Sequence, residues 1–244
     1  MKLRILGKGS GYPELGKHHS AYIIELPDKK ILLDCGDGTS QQLLKYNLAN
    51  NEIDHIIISH FHPDHVSGLF LVLQMFYLRK RTKSLKIFLP EKVNEFYNIM
   101  NFFYSFPERF TYKIDFLPIS KMDKHLDEVL PIFSEHLLSY SEFIKNNNLS
   151  NPMKAYSFIF QKGIKKLLIS CDIAGVKKFK KYKNEIDLFV IDAFHPRTEE
   201  LVDFISEMRS TIILSHGLSK ELQIIINNNP ENFEIADENK IYNI

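Results

Sequence analysis

The sequence predicts an α/β protein in which a sandwich of sheets is covered by helices. Three observations carry this expectation. Short apolar or β-branched runs recur along all 244 residues, and several are followed by stretches with helical spacing of apolar residues. The runs also fall into two halves, each opening with closely spaced strands and closing with strand–helix units.

In chain order, residues 3–6 and 21–25 read as strands separated by the turn-forming Gly7-Lys8-Gly9-Ser10-Gly11-Tyr12-Pro13. Residues 30–34 form a third strand. Gly36-Asp37-Gly38 ends it, and Thr39 or Ser40 is expected to cap a short helix through Tyr46. Residues 53–59, with Ile56, Ile57 and Ile58 in succession, read as a buried strand, followed by a helix over 66–78. A strand over 86–89, an aromatic-rich helix over 91–106 and a strand over 112–118 come next. Residues 155–161 and 166–170 form a hairpin about Lys162-Gly163. Strands over 188–191 and 211–214 flank a helix over 198–208.

Composition narrows the function classes. Lys and Arg number 31 against 30 Asp and Glu, so charge alone does not suit the chain to coating nucleic acid. An aromatic content of 12% argues against disorder. Two cysteines, Cys35 and Cys171, cannot build a disulfide framework and point to a reducing compartment. Arg4 and Gly7 interrupt the apolar run a signal peptide needs, and no stretch approaches the roughly 18 apolar residues of a membrane span. A cytoplasmic protein with no membrane partner is expected. Without a Gly/Ser/Pro linker or a fixed repeat, residues 1–244 read as a single domain.

The segment Ser59-His60-Phe61-His62-Pro63-Asp64-His65 carries the chemistry. In extended chain His60 and His62 point the same way and can hold one metal ion. Pro63 then turns the chain so that Asp64 and His65 can address a second. Imidazole with carboxylate suits zinc, with manganese or iron as alternatives, rather than calcium.

This loop resembles the His-x-His-x-Asp-His signature of the metallo-β-lactamase superfamily, and further elements follow in that family's order. The resemblance implies a four-layer αββα sandwich with two divalent metal ions in a cleft at the sheet edges. It implies that His60, His62 and His136 bind one ion and Asp64, His65 and His216 the other, with Asp172 bridging. Asp34, at the end of the third strand, matches an aspartate that orients ligands; with Asp64 and His195 it completes the catalytic candidates.

Within the superfamily the sequence resembles the ribonuclease Z-like branch, through Gly7-Lys8-Gly9-Ser10-Gly11, Leu32-Leu33-Asp34-Cys35-Gly36 and Phe233-Glu234-Ile235-Ala236-Asp237, the last like that branch's closing strand pair. The tRNA 3′-processing members insert a long glycine- and proline-rich arm between the third histidine motif and the bridging aspartate. Here 36 positions separate His136 from Asp172, and a hairpin occupies much of that interval. Ile191-Asp192-Ala193-Phe194-His195-Pro196 is instead similar to a segment of the cyclic-phosphate phosphodiesterases of the branch, which makes His195 a general-acid candidate. The expected substrate is a small anionic phosphodiester, with RNA the alternative partner. Thioesterase or lactonase chemistry and a non-catalytic metal-binding module are the other readings, and homodimers are common in the branch.

Several other features have structural readings first. Lys177-Lys178-Phe179-Lys180-Lys181-Tyr182-Lys183 reads as a solvated helix face, and Arg79-Lys80-Arg81-Thr82-Lys83 as cations at a helix C-terminus. Phe102-Phe103-Tyr104-Ser105-Phe106 reads as core, with a cleft wall or dimer contact as the alternative.

Overall fold

The computed structural model describes residues 1–244, with the side chain of Asn232 excepted. It divides into two compact units, one of Met1–Asp127 with Asp237–Asn243 and one of Glu128–Ala236 with Ile244.

The first unit holds β1 (Lys2–Gly7), β2 (Ala21–Glu25), β3 (Lys30–Leu33), α1 (Thr39–Lys45), β4 (His55–Ile57), α2 (Pro63–Val66), α3 (Leu69–Leu78), β5 (Leu85–Leu89), α4 (Val93–Phe102), β6 (Ile114–Pro118) and the last strand of the chain, β13 (Ile241–Asn243). Its seven-stranded sheet has the order β13-β1-β2-β3-β4-β5-β6. Strands β13 to β3 pair antiparallel, β2 and β3 through a short turn, whereas β3 to β6 run parallel. Parallel pairing needs crossover connections, and α1, the α2–α3 pair and α4 lie in the three that join β3 to β6. Leu69, Val72, Leu73 and Phe76 of α3 fall at helical spacing on one face and pack with Ile56, Ile58, Ile87 and Leu89.

The second unit holds β7 (Val129–Ser134), α5 (Ser141–Asn146), β8 (Ala155–Lys162), β9 (Lys165–Ile169), β10 (Leu188–Asp192), α6 (Thr198–Glu207), β11 (Thr211–Ser215), α7 (Lys220–Asn228) and β12 (Glu234–Ile235). Its six-stranded sheet, β12-β11-β10-β9-β8-β7, is antiparallel from β7 to β9 and parallel from β9 to β12. The predicted hairpin is β8–β9. Leu201 and Phe204 of α6 pack with Phe179, Phe189 and Ile191.

Five local expectations are corrected. The predicted helix over 66–78 is two helices, because Gly68 donates its N–H to Cys35 O (2.9 Å) and approaches Gly36 too closely for any Cβ. At α1 neither Thr39 nor Ser40 caps. The N-cap is Gly38, left-handed at φ 86°, and Thr39 Oγ1 donates to Gly36 O (2.7 Å). The helix over 91–106 stops at Phe102, leaving Phe102, Phe103 and Tyr104 exposed rather than in the core. Arg81 is fully buried, not a surface cation. The closing segment gives β12 to the second sheet and β13 to the first, so the two do not pair with each other.

Candidate metal centre

In the first unit the ligand-type residues sit where β4 leaves the sheet. His60 and His65 are fully buried, Asp64 is buried and His62 is half-buried. Pro63 opens α2, where its missing N–H costs nothing. That single turn brings Asp64 and His65 back toward His60. The His60 ring lies 4.7 Å from that of His62 and 4.1 Å from that of His65, centroid to centroid. His65 Nε2 stands 3.5 Å from Asp64 Oδ2.

Asp34 organises this turn. Its carboxylate is wholly buried, accepts from Ser59 N (2.7 Å) and Ser59 Oγ (2.9 Å), and lies 2.7 Å from His65 Nδ1. Ser59 Oγ lies 3.0 Å from His60 Nδ1. Both buried rings are therefore held by Nδ1, so Nε2 is the atom of each that could face a metal ion. The backbone of Asp34 is left-handed (φ 58°) and its neighbour Cys35 donates to His65 O (2.8 Å), tying β3 to the ligand turn. Gly36 is required here, since a Cβ would fall 2.1 Å from Asp64 O.

In the second unit three strand ends supply the groups. His136 follows β7, Asp172 follows β9 and His216 follows β11. Asp172 is buried, with Oδ2 3.4 Å from His136 Nε2 and Oδ1 3.2 Å from His216 Nε2. Donors bound to one tetrahedral zinc at about 2.0–2.1 Å stand roughly 3.3 Å apart. The separations about Asp172, and that between His65 and Asp64, match donors sharing an ion better than direct hydrogen bonds of about 2.9 Å. One carboxylate thus offers an oxygen toward each of two imidazoles. Ser134 Oγ donates to Asp172 O (2.6 Å). Cys171 and His216 are both left-handed, at φ 48° and 64°, conformations that side chains adopt only under constraint.

His195 lies beside this carboxylate. Its Nδ1 is 2.9 Å from Asp192 Oδ2 and 3.8 Å from Asp172 Oδ2, and its ring lies 4.6 Å from that of His136 and 5.2 Å from that of His216. The sequence reading missed Asp192 as a functional group. Its buried carboxylate accepts from Ile173 N (3.1 Å), Phe194 N (2.9 Å) and His195 N (3.2 Å), closing the turn that presents the imidazole. The i, i+3 spacing of Asp192 and His195 before Pro196 was the available signal. Atoms of Asp172, Asp192 and His195 also lie within 4.8 Å of one another.

The remaining candidates contribute no side chain to these clusters. Lys177–Tyr182 forms a 3₁₀ turn with its lysines outward, Lys178 donating to Phe133 O (2.9 Å) and Lys180 pairing with Glu207 (2.9 Å). Cys35 and Cys171 are free and buried, and burial pushes the Cys35 thiol well above its ordinary range. Among the described residues no helix is long and apolar enough to cross a membrane.

A family model for the anti-Pycsar protein Apyc1 matches residues 1–100. Ribonuclease Z of Bacteroides fragilis is 38% identical over 103 residues, which cover 42% of this chain and 34% of that protein. Ribonuclease Z of Methanocaldococcus jannaschii is 31% identical over 190 residues, covering 75% of this chain and 56% of that protein. The chain therefore spans from about a third to somewhat over half the length of these relatives. Among solved structures, the metallo-β-lactamase fold protein YhfI from Bacillus subtilis superposes with a TM-score of 0.75 at 15% identity, over 99% of this chain and 98% of that one. Human tRNase Z, short form, gives 0.72 at 19% identity, over 100% and 99%. A diphosphatase from the PhnP family gives 0.70 at 15% identity, over 100% and 97%. The fold is the αββα sandwich of these proteins, and the chain belongs to the metallo-β-lactamase superfamily, in its ribonuclease Z-like branch.

Proposed function

We propose that residues 1–244 act as one hydrolase domain that cleaves a small or cyclic phosphodiester with the help of two divalent ions, zinc before manganese or iron. In this reading His60, His62 and His136 would hold one ion, Asp64, His65 and His216 the other, and Asp172 would serve both. The donor set fits: imidazoles and carboxylates, two of the rings fixed through Nδ1 by Asp34 and Ser59. When bound, such a pair of ions activates water, clamps a non-bridging phosphoryl oxygen and neutralises developing charge.

The protein's own residues do the rest. Asp34 keeps the His65 ring in one orientation. Asp192 holds His195 through Nδ1, so the proton to be delivered sits on Nε2, from which it passes to the leaving alkoxide as the ester bond breaks. Positioned acids of this kind contribute about 10²–10⁴-fold.

The observation that carries the reading is the carboxylate of Asp172 set between two imidazole Nε2 atoms, with the Asp192–His195 pair alongside. Metal-loaded protein assayed on bis-aryl phosphate, 2′,3′-cyclic nucleotides, pre-tRNA and an aryl monoester tests it. Cyclic or aryl diesters are expected to be cleaved in preference to pre-tRNA and monoester. His195→Ala should slow diesters with poor leaving groups at least about tenfold more than activated aryl diesters; equal losses would remove the acid role.

A second reading, tRNA 3′-processing, rests on the name ribonuclease Z borne by the relatives. Preference for pre-tRNA in the same assay would establish it. Against it, α5 and the β8–β9 hairpin fill the interval between His136 and Asp172.

A further inference from the structure

We propose that Glu238 and His18 are a positioning pair, through which the last stretch of the chain holds the loop between β1 and β2 against the turn that carries Asp64. Residues 8–20 join β1 to β2 and 237–240 lead into β13, so the partners lie 220 positions apart in sequence. Glu238 is buried. Its Oε2 lies 2.7 Å from His18 Nδ1, and its Oε1 accepts from His18 N at 3.3 Å, so one carboxylate fixes both the ring and the backbone of one residue. The amide nitrogen of Gln42 lies 2.8 and 2.9 Å from the two ring nitrogens. The ring also packs so closely on the start of α1 that a Cβ on Gly38 would fall 2.5 Å from its Cδ2. Glu238 is itself held, since Tyr46 Oη donates to its carbonyl (2.6 Å).

From His18 the restraint reaches the ligand turn by two short routes. The His18 carbonyl accepts from Gly9 N (2.8 Å), and two residues further on a Cβ at Gly11 would stand 3.6 Å from Asp64 Oδ2. His19 donates its N–H to Asp37 O (3.2 Å) and sets its Cβ against Gly36, where an added Cβ would meet His19 Cβ at 2.5 Å and Asp64 O at 2.1 Å. Gly11 thus lies against the carboxylate of Asp64, and Gly36, backed by His19, against its carbonyl.

Residues 11–17 of the loop are exposed, so burial does little to order them. A hydrogen bond to a carboxylate is stronger than one between neutral groups, and this one sits at the base of the loop. What Glu238 contributes to the site is therefore the order of the backbone against which Asp64 rests. The consequence for metal binding rests on the two-ion reading above, whereas the restraint on the loop does not.

Hydrogen exchange of the metal-free chain, read by mass spectrometry, and zinc binding, read by calorimetry, test the pair in the wild type, Glu238→Ala and Glu238→Gln. In Glu238→Ala, peptides covering 8–19 and 63–68 should exchange at least about tenfold faster, while those from α3 and β5 keep their wild-type rates. One of the two zinc affinities should weaken about tenfold, the low end of what losing an outer partner of a ligand costs. Glu238→Gln keeps an acceptor for His18 and should recover most of both effects. Unchanged exchange at 8–19 and 63–68 would overturn the proposal, and so would acceleration spread evenly over the first unit, which would mean a general loss of stability. Zinc affinities that survive the faster exchange would overturn it as well. A wild type that binds no divalent ion would instead end the two-ion reading, and the exchange rates would still decide the pair.

Discussion

At the scale of single residues, three of the nine left-handed non-glycine residues lie beside the chemistry. Asp34, Cys171 and His216 follow β3, β9 and β11 with positive φ, and each is a candidate site residue or its immediate neighbour. A left-handed residue with a Cβ costs roughly 1–2 kcal/mol, more when β-branched. At Cys171 that cost is open to test without touching a carboxylate or imidazole. Cys171→Val is expected to be about 2 kcal/mol less stable than Cys171→Gly in urea unfolding, since glycine accepts φ 48° and valine resists it. Equal stabilities would mean that the surrounding structure does not enforce the conformation.

At the scale of elements, the connection from α3 to β5 is pinned by Arg81. Its guanidinium donates to the carbonyls of Asn50, Ile53, Lys83 and Ser84 and lies over the rings of Phe76 and Tyr112. Thr111 Oγ1 donates to the backbone carbonyl of Arg81 (2.6 Å), so three stretches of chain meet at one residue. Arg81→Met keeps much of the apolar volume but strands those four acceptors. It should cost at least about 3 kcal/mol in thermal or chemical unfolding. A run of basic letters could not disclose this. Arg79 and Lys80 stay exposed, and Arg81 turns inward only because carbonyls from 50–53 and 83–84 close around it.

At the scale of the whole molecule, His55 makes stability depend on pH. It sits in β4 between β3 and β5, and burial among neighbours that include Lys86 and Phe88 lowers its pKa from 6.5 to about 4, with Asp54 opposing. The unfolded chain takes up this proton near pH 6.5 and the native chain only near 4. Stability is thus whole above pH 6.5 and drains away as pH falls toward 4. Because the ring is partly exposed, the loss is about 1–2 kcal/mol after solvent screening. Urea midpoints at pH 7.5 and 4.5 should therefore differ less for His55→Gln than for the wild type.

The same contrast of scales separates what was legible in the sequence from what was not. The strand runs, the β8–β9 hairpin and the contiguous His60–His65 loop follow from local periodicity and from side chains only a few bonds apart, so the sequence by itself determined them. The pairing of Asp192 with His195 needed the turn that follows β10. The exposure of Phe102, Phe103 and Tyr104 depended on where α4 stops, and the burial of Arg81 on distant carbonyls. Those are contests between solvation and packing that only the assembled chain decides, because burial and hydrogen-bond partners are properties of neighbours in space rather than in sequence.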